Sequence, residues 1–289
     1  MIGSPYNRAI IMVILGGACL SLLGIADRSM DGANGPQIAF YRAIGQTVFF
    51  TCAFVLMRKE TVSDAFQALT WRGWFAALVM SLAGFFLIMS FQFTLVANAV
   101  FFISLTPLIA AFLAWVFLKE SIDNRTRLAM AIAVIGVGII FGTNISLEGV
   151  IGMMFAATMA VCYASAIVTM RTIPQANILL ICALNGICVM LLMLPLLDSF
   201  AMSQRDLLIC LSLGVVQVGL GTVLVMRGAQ FIPAAQVSIL ALIEVVLSPI
   251  WVWVFANEVP SLTTLIGGAI VLAGVIYQAL GAQDVSKTP

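Results

Sequence analysis

Apolar runs of about twenty residues fill this chain, and short clusters of charged, Pro and loop residues separate them. A run of that length is what a helix needs to cross the hydrocarbon core of a bilayer. The separators predict ten spans, at 7–26, 36–57, 72–95, 98–118, 125–143, 149–170, 176–197, 206–228, 234–256 and 261–281. In a bilayer each backbone polar group needs a partner inside the protein, so long apolar segments of this kind read as helices. Most connections are short, and no soluble domain is expected. The longest polar stretch, 58–71, contains Arg58, Lys59, Glu60 and Asp64 and reads as a surface segment or interfacial helix.

Composition removes the soluble alternative. The 289 residues are 63% hydrophobic and 9% charged, against about 25% charged in soluble domains. So few charges do not cover a water-exposed surface of this size. The net charge of +1 offers nothing to nucleic acid. Histidine is absent, which removes the commonest metal ligand and the usual neutral-pH proton shuttle. The six cysteines all lie inside apolar runs, with no CxxC pair, so neither a disulfide framework nor a zinc site is expected, and no cofactor is implied. Arg8 precedes the first run, and no small-residue cleavage site follows before Asp27. That run is expected to be a permanent span that directs insertion.

Charge then sets orientation. With the N-terminus inside, Arg8, Arg58, Lys59, Arg72, Lys119, Arg125, Arg127, Arg171, Arg227 and Lys287 all fall on the inner side, and only Arg28 and Arg205 fall outside. Arg42 lies within the second span. A bias of this size predicts both termini in the cytoplasm and an even number of spans.

The chain also repeats itself. Setting Glu120 against Glu258, an offset of 138 residues (258 − 120), aligns Gln92-Phe93 with Gln230-Phe231 and Trp115-Val116-Phe117 with Trp253-Val254-Phe255. Ala131-Ile132 meets Ala269-Ile270, and Gly136-Val137 meets Gly274-Val275. Apolar matches are cheap in such a sequence, but the Gln, Trp, Glu and Gly matches are not. Two five-span halves are expected, 1–145 and 146–289. Because five is odd, the second half inserts upside down relative to the first. Such inverted repeats offer two near-degenerate packings, one open to each side, with the site where the halves meet. The fold class predicted is an all-α polytopic membrane protein with ten transmembrane helices as two inverted five-helix repeats.

The order Gln92-Phe93-Thr94, Asn98-Ala99, Thr106-Pro107 and Trp115 through Lys119-Glu120 recurs as Gln230-Phe231, Ala234-Ala235-Gln236, Glu244-Val245 and Trp253 through Asn257-Glu258. This pattern resembles the EamA family of the drug/metabolite transporter superfamily, whose members carry Glu-Pro in mid-span and Gly-Glu at the end of that span. Phe40-Tyr41-Arg42 resembles the family's aromatic-Arg signature. The resemblance implies a secondary-active carrier in a bacterial inner (plasma) membrane, monomeric or homodimeric. It implies export of a small metabolite such as an amino acid, and it places spans three, four, eight and nine around a central cavity.

An ionisable side chain in mid-membrane is expensive and reads as functional unless it is paired. Glu244, mid-way along span nine, is expected to contact substrate or to carry a coupling proton; a structural carboxylate tied to a neighbouring helix is the alternative. Arg42 binds a substrate carboxylate, snorkels to the outer surface or pairs with a carbonyl in a structural role; its counterpart in the second half is Asn185. Gln92, Asn98, Gln217 and Gln236 are amides that need a partner or a watery cavity, with capping the alternative for Asn98 and Gln236. Tyr163 is an aromatic candidate for the cavity wall. Trp115 and Trp253 read as interfacial anchors. Pro107, Pro195 and Pro249 are expected kinks. Glu120 and Glu258 read as caps or, alternatively, as latches.

Competing functions find less support. The chain has no HExxH, no GxSxG and no phosphate-binding Gly loop, so an enzyme or an ATP-driven pump is not expected. A channel would show charged rings or a filter sequence. A non-transporting receptor or scaffold has less need of an inverted repeat. Import of a vitamin, nucleoside or cationic drug-like compound is the alternative to export of a zwitterion.

Overall fold

The computed structural model describes residues 5–57, 62–67, 69–141, 147–173, 178–232 and 234–285, and the regular structure among them is all helical. Nine helices among the described residues are long and apolar enough to cross a membrane. The tenth expected span is the 18-residue helix Asn124–Phe141, about 27 Å long, with Arg125 and Arg127 in its first turn. The ends expected for it near 143, and for span seven near 176, lie outside the described residues, as do Arg58, Lys59, Glu60 and Lys287. Part of the polar 58–71 stretch is a short helix, α4 (Val62–Gln67).

In chain order the other helices are α1 (Pro5–Leu20) and α2 (Leu22–Arg28), which share span one, α3 (Gly35–Met57) and α5 (Trp71–Phe93). Span four is split into α6 (Val96–Ile103) and α7 (Thr106–Leu118), and α8 (Asn124–Phe141) closes the first half. The second half holds α9 (Leu147–Met170), α10 (Ile178–Met193), then α11 (Gln204–Ser212) and α12 (Gly221–Gly228) in span eight. Span nine is split into α13 (Ala234–Ala241) and α14 (Ile243–Ala256), and α15 (Leu262–Val285) is the last span.

Side-chain caps start several of these helices. Asn34 and Gln37 form a reciprocal box at the start of α3: the Gln37 amide donates to Asn34 Oδ1 at 3.0 Å, and the Asn34 amide donates to Gln37 Oε1 at 3.1 Å, satisfying two donors the helix leaves open. Asp123 Oδ1 accepts from the Thr126 amide at 3.1 Å, and hydrogen bonds from Thr126 hold its carboxyl below the usual range.

Packing follows the repeat. The most extensive contacts join α5 to α9, α8 to α15, α3 to α10 and α1 to α12, with α6 against α14. Numbered as spans, these pairs are three–six, five–ten, two–seven, one–eight and four–nine. If spans one to five correspond to six to ten, each pair maps onto itself or onto another pair. The halves interlock about a pseudo-twofold axis, and none of these major contacts stays within one half. Between α8 and α15 the backbones nearly touch: a Cβ on Gly136 would stand 2.7 Å from the Gly267 carbonyl oxygen, and one on Gly267 would stand 2.7 Å from that of Gly136. Small residues at such a crossing let two helices approach without a driving force from water. The main buried cluster, including Ile38, Ile88, Phe91, Val96, Phe102 and Met153, draws on all ten spans, with Ala133 from span five and Val275 from span ten. Exposed Phe117, Val134, Trp253 and Phe255 sit on surfaces suited to lipid.

Spans four and nine end alike. Lys119 and Asn257, 138 residues apart, are the only non-Gly residues with positive φ among those described, at 58° and 54°. The amides of Glu120 and Glu258 reach back to the carbonyls of Ala114 and Val252, both at 3.3 Å, as in a Schellman close. A left-handed residue explains why a Gly-Glu pair suits this position. Asn tolerates the conformation, whereas Lys costs about 1–2 kcal/mol there. Lys119→Gly should therefore stabilise the protein by about 1 kcal/mol, read as a higher thermal midpoint in detergent, with a smaller gain for Asn257→Gly. An unchanged or lower midpoint for Lys119→Gly would show that the turn is not strained.

Candidate functional site

Four spans lose regular α-geometry in the middle of the membrane. Span one breaks at Ser21, span four at Ser104-Leu105, and span nine at Leu242. The last two breaks occupy equivalent repeat positions. Span eight widens into a π-helix over Leu213–Leu220. Pro107 follows the break in span four, and Pro195 lies in a 3-10 turn, Leu194–Leu196. Pro249, by contrast, sits within a helix that continues through it; the discontinuity in span nine comes seven residues earlier. Irregular backbone at this depth needs protein or a cavity beside it, and π-segments recur at functional sites.

The irregular segments surround one cavity of about 120 Å³. Its wall takes residues from eight spans, all but five and ten. Leu20 comes from the break in span one, Ile103 from span four, Glu244 from span nine, and Gln217 from the π-segment. Spans two, six and seven contribute Arg42, Gln46, Tyr163 and Asn185.

Arg42 is held by close backbone packing. A Cβ on Gly214 would fall on the Arg42 carbonyl oxygen, and one on Gly45 would fall on that of Leu211. These two glycines let α3 press directly against the turn where α11 passes into the π-segment. The guanidinium Nη1 donates to Gln217 Oε1 at 3.3 Å, and Gln217 Nε2 donates to the Leu20 carbonyl at 3.2 Å. Gln217 thus joins Arg42 to the broken end of α1. The break is fixed on its other side by Trp251 Nε1, which donates to Ser21 Oγ at 2.9 Å. Among the described residues, Arg42 Nε has no hydrogen-bond partner.

Glu244 is the second residue of α14, where the open amides of a helix start favour negative charge. No hydrogen bond or ion pair reaches its carboxylate among the described residues, and no salt bridge reaches Arg42. One basic and one acidic side chain therefore line the same small cavity with no salt bridge between them. Gln46 Nε2 is spent on the Cys182 carbonyl at 3.0 Å, and Ser81 Oγ donates to Asn185 Oδ1 at 2.9 Å.

Of the residues expected at the site, the cavity brings together Glu244, Arg42, Gln217 and Tyr163. Gln92, Asn98 and Gln236 are elsewhere. Gln92 is exposed in the last turn of α5. Asn98 is fully buried between Thr94, whose Oγ1 accepts from Nδ2, and Thr264, whose hydroxyl donates to Oδ1, both at 2.9 Å. It ties span four to span ten. Gln236 Oε1 accepts from the Tyr6 hydroxyl at 2.8 Å, near the start of span one. Three polar wall residues, Gln46, Asn185 and Thr222, are not among the candidates the sequence offers. Gln46 lies four residues after Arg42, hence on the same helix face, and that spacing could have flagged it. Asn185 was noted only as the repeat partner of Arg42, yet both positions line the cavity.

Comparison with known proteins agrees with this architecture. The EamA-like transporter family matches residues 7–142 and 150–279, one match per half. Twenty-five solved chains match significantly. One, titled only "Crystal structure of protein", shares 18% identity with a TM-score of 0.65, over 96% of this chain and 99% of its own; at that identity it speaks for the fold. Among curated proteins, none matches significantly.

The Gly214 contact makes a test of the site's scaffold. Gly214→Ala should destabilise the protein by about 1–3 kcal/mol through overpacking and detach Arg42 from its place. Gly138→Ala, where nothing lies within 4 Å of the new methyl, should be neutral or slightly stabilising. Equal thermal midpoints for the two variants would contradict the close packing of α3 on span eight.

Proposed function

This chain belongs to the EamA-like transporter family, and on that premise we propose that it is a secondary-active exporter of a small zwitterionic metabolite, such as an amino acid. The observation that carries the reading is the pair Arg42 and Glu244, both on the wall of one cavity and neither neutralised by an ion pair. Arg42 would receive a carboxylate and Glu244 an ammonium. The planar guanidinium of Arg42 suits a planar anionic group. The cavity is small beside the about 300–1,000 Å³ of clefts that hold drug-sized ligands, which fits a compact substrate better than a nucleoside or a large drug.

Alternating access follows from the interlocked inverted halves. A cavity at their meeting place opens to one side or the other as the halves rock, with the broken spans as flexing points. The Lys and Arg bias supports a cytoplasmic face at the termini, and loading from that side supports export. Glu244 serves as the coupling carboxylate: with substrate absent, a proton takes the place of the ammonium. A cationic substrate would use Glu244 alone and would leave Arg42 without a role, which separates that second reading from the first.

In proteoliposomes, counterflow of zwitterionic amino acids should saturate. Arg42→Gln and Glu244→Gln should each lower it at least about tenfold, as expected when one member of a desolvated charge pair is removed. Glu244→Gln should also lose the response to an imposed pH gradient. Unchanged flux and unchanged pH response in Glu244→Gln would sink the coupling role. Unchanged flux in Arg42→Gln, with cations as substrates, would replace the zwitterion by a cation.

A further inference from the structure

The glutamates that follow the two left-handed turns are both held by arginines. Glu258 ends the fourth span of the second half, and its Oε2 accepts from Arg28 Nε at 2.7 Å. Arg28 ends the first span of the first half. Glu120 ends the fourth span of the first half, and it is gripped in a bidentate fashion by Arg171, Nη2 to Oε1 at 2.8 Å and Nη1 to Oε2 at 3.2 Å. Arg171 follows the first span of the second half. Each pair therefore joins one half to the other, and the pseudo-twofold axis exchanges them. They lie at opposite membrane faces, with Arg171–Glu120 on the face of the termini.

The pairs are unequal. The side chains of Arg171 and Glu120 are 52% and 47% exposed, against 27% and 14% for Arg28 and Glu258. Glu258 also accepts the Val96 amide with its second oxygen, at 2.7 Å. Arg28 donates in addition to Asp27 Oδ2 and the Phe91 carbonyl, both at 3.1 Å, and to the Thr94 carbonyl at 3.4 Å. One cluster thus knots the ends of spans one, three, four and nine. The other ties two exposed side chains on spans four and six, a kind of pair that contributes little in water.

We infer that these two ion pairs are the opposite gates of the transport cycle, and that their inequality makes the face of the termini the side that opens at rest. This rests on the transporter reading, because only a carrier must open its two faces in turn. To expose the cavity at one face, spans from the two halves must part there, and the pair at that face is what must break. The knotted Arg28 cluster resists parting more than the solvent-screened Arg171 pair. Substrate from the terminus side would therefore find the site open first.

Hydrogen–deuterium exchange of the full chain in lipid nanodiscs, without substrate, tests the inference. In the unaltered protein, amides near 26–31, 94–99 and 256–260 should exchange more slowly than those near 116–122 and 169–173. Glu258→Gln should speed exchange about tenfold in the first group, and Glu120→Gln should speed it about twofold to fivefold in the second only. Glu258→Asp, which keeps the charge but shortens the reach, should act in the same direction as Glu258→Gln and guards against a variant that fails to fold. The exposed pair should tolerate the exchange Glu120→Arg with Arg171→Glu, restoring the original pattern. Equal changes at both faces from either substitution, or faster exchange in the unaltered protein at the Arg28 face, would overturn the inference. The readout needs no substrate, so a failed zwitterion assay with the exchange asymmetry intact would count against the cargo and leave the gates standing.

Discussion

A bilayer interior contains no water to satisfy a backbone carbonyl or amide, and that constraint organises this molecule. Among the described residues, the helices of the ten spans close their own hydrogen bonds almost everywhere. The exceptions in mid-membrane, at Ser21, Ser104-Leu105, Leu242 and the π-segment Leu213–Leu220, gather where their loosened backbone meets side chains or a cavity. The Leu20 carbonyl receives Gln217, and Ser21 receives Trp251. Departures from helical geometry are thus concentrated at one place, and the polar chemistry is concentrated with them.

The same low-dielectric setting gives the unpaired charges their meaning. An ionisable group at this depth is kept only with a partner or a use. Toward the membrane faces several charges pair: Arg28 with Glu258 and Asp27, Arg171 with Glu120, and Arg205 with Asp31. Arg42 and Glu244, deep in the spans, have no ion pair among the described residues. Arg42 has an amide for company, and Glu244 has the start of a helix. Together they suit an occupant that offers each of them a partner: a dipolar molecule, or a proton with an anion. The unequal pairs at the two faces then give the cycle a resting direction.

Much of this was legible in the chain. Runs of apolar residues between charged, Pro and loop residues located the spans, and the offset between Glu120 and Glu258 located the repeat, which returned in the matched breaks at Ser104-Leu105 and Leu242 and in the matched turns at Lys119 and Asn257. Glu244 and Arg42 stood out because charge is rare in such segments. The amides were harder. Gln92, Asn98 and Gln236 look like Gln217 in a sequence, because each is a lone amide in an apolar helix. Which of them faces a cavity depends on helix rotation, and rotation is set by tertiary contacts such as Gly214 on Arg42. The kink expected at Pro249 is absent, because the helix continues through it, and the break in span nine lies at Leu242, which no sequence signal marks. The Arg28–Glu258 and Arg171–Glu120 pairs join residues 230 and 51 positions apart, a relation that only the crossing of the two halves creates.

The central claim is that one cavity holds a cation and an anion ready for the two ends of a single small molecule. Isothermal titration of the purified protein with an amino acid, its methyl ester and its N-acetyl derivative tests this most directly. The account predicts binding of the zwitterion and at least about tenfold weaker binding of each derivative, since each leaves one buried charge without its partner. Binding of the ester as tight as that of the parent amino acid would contradict it.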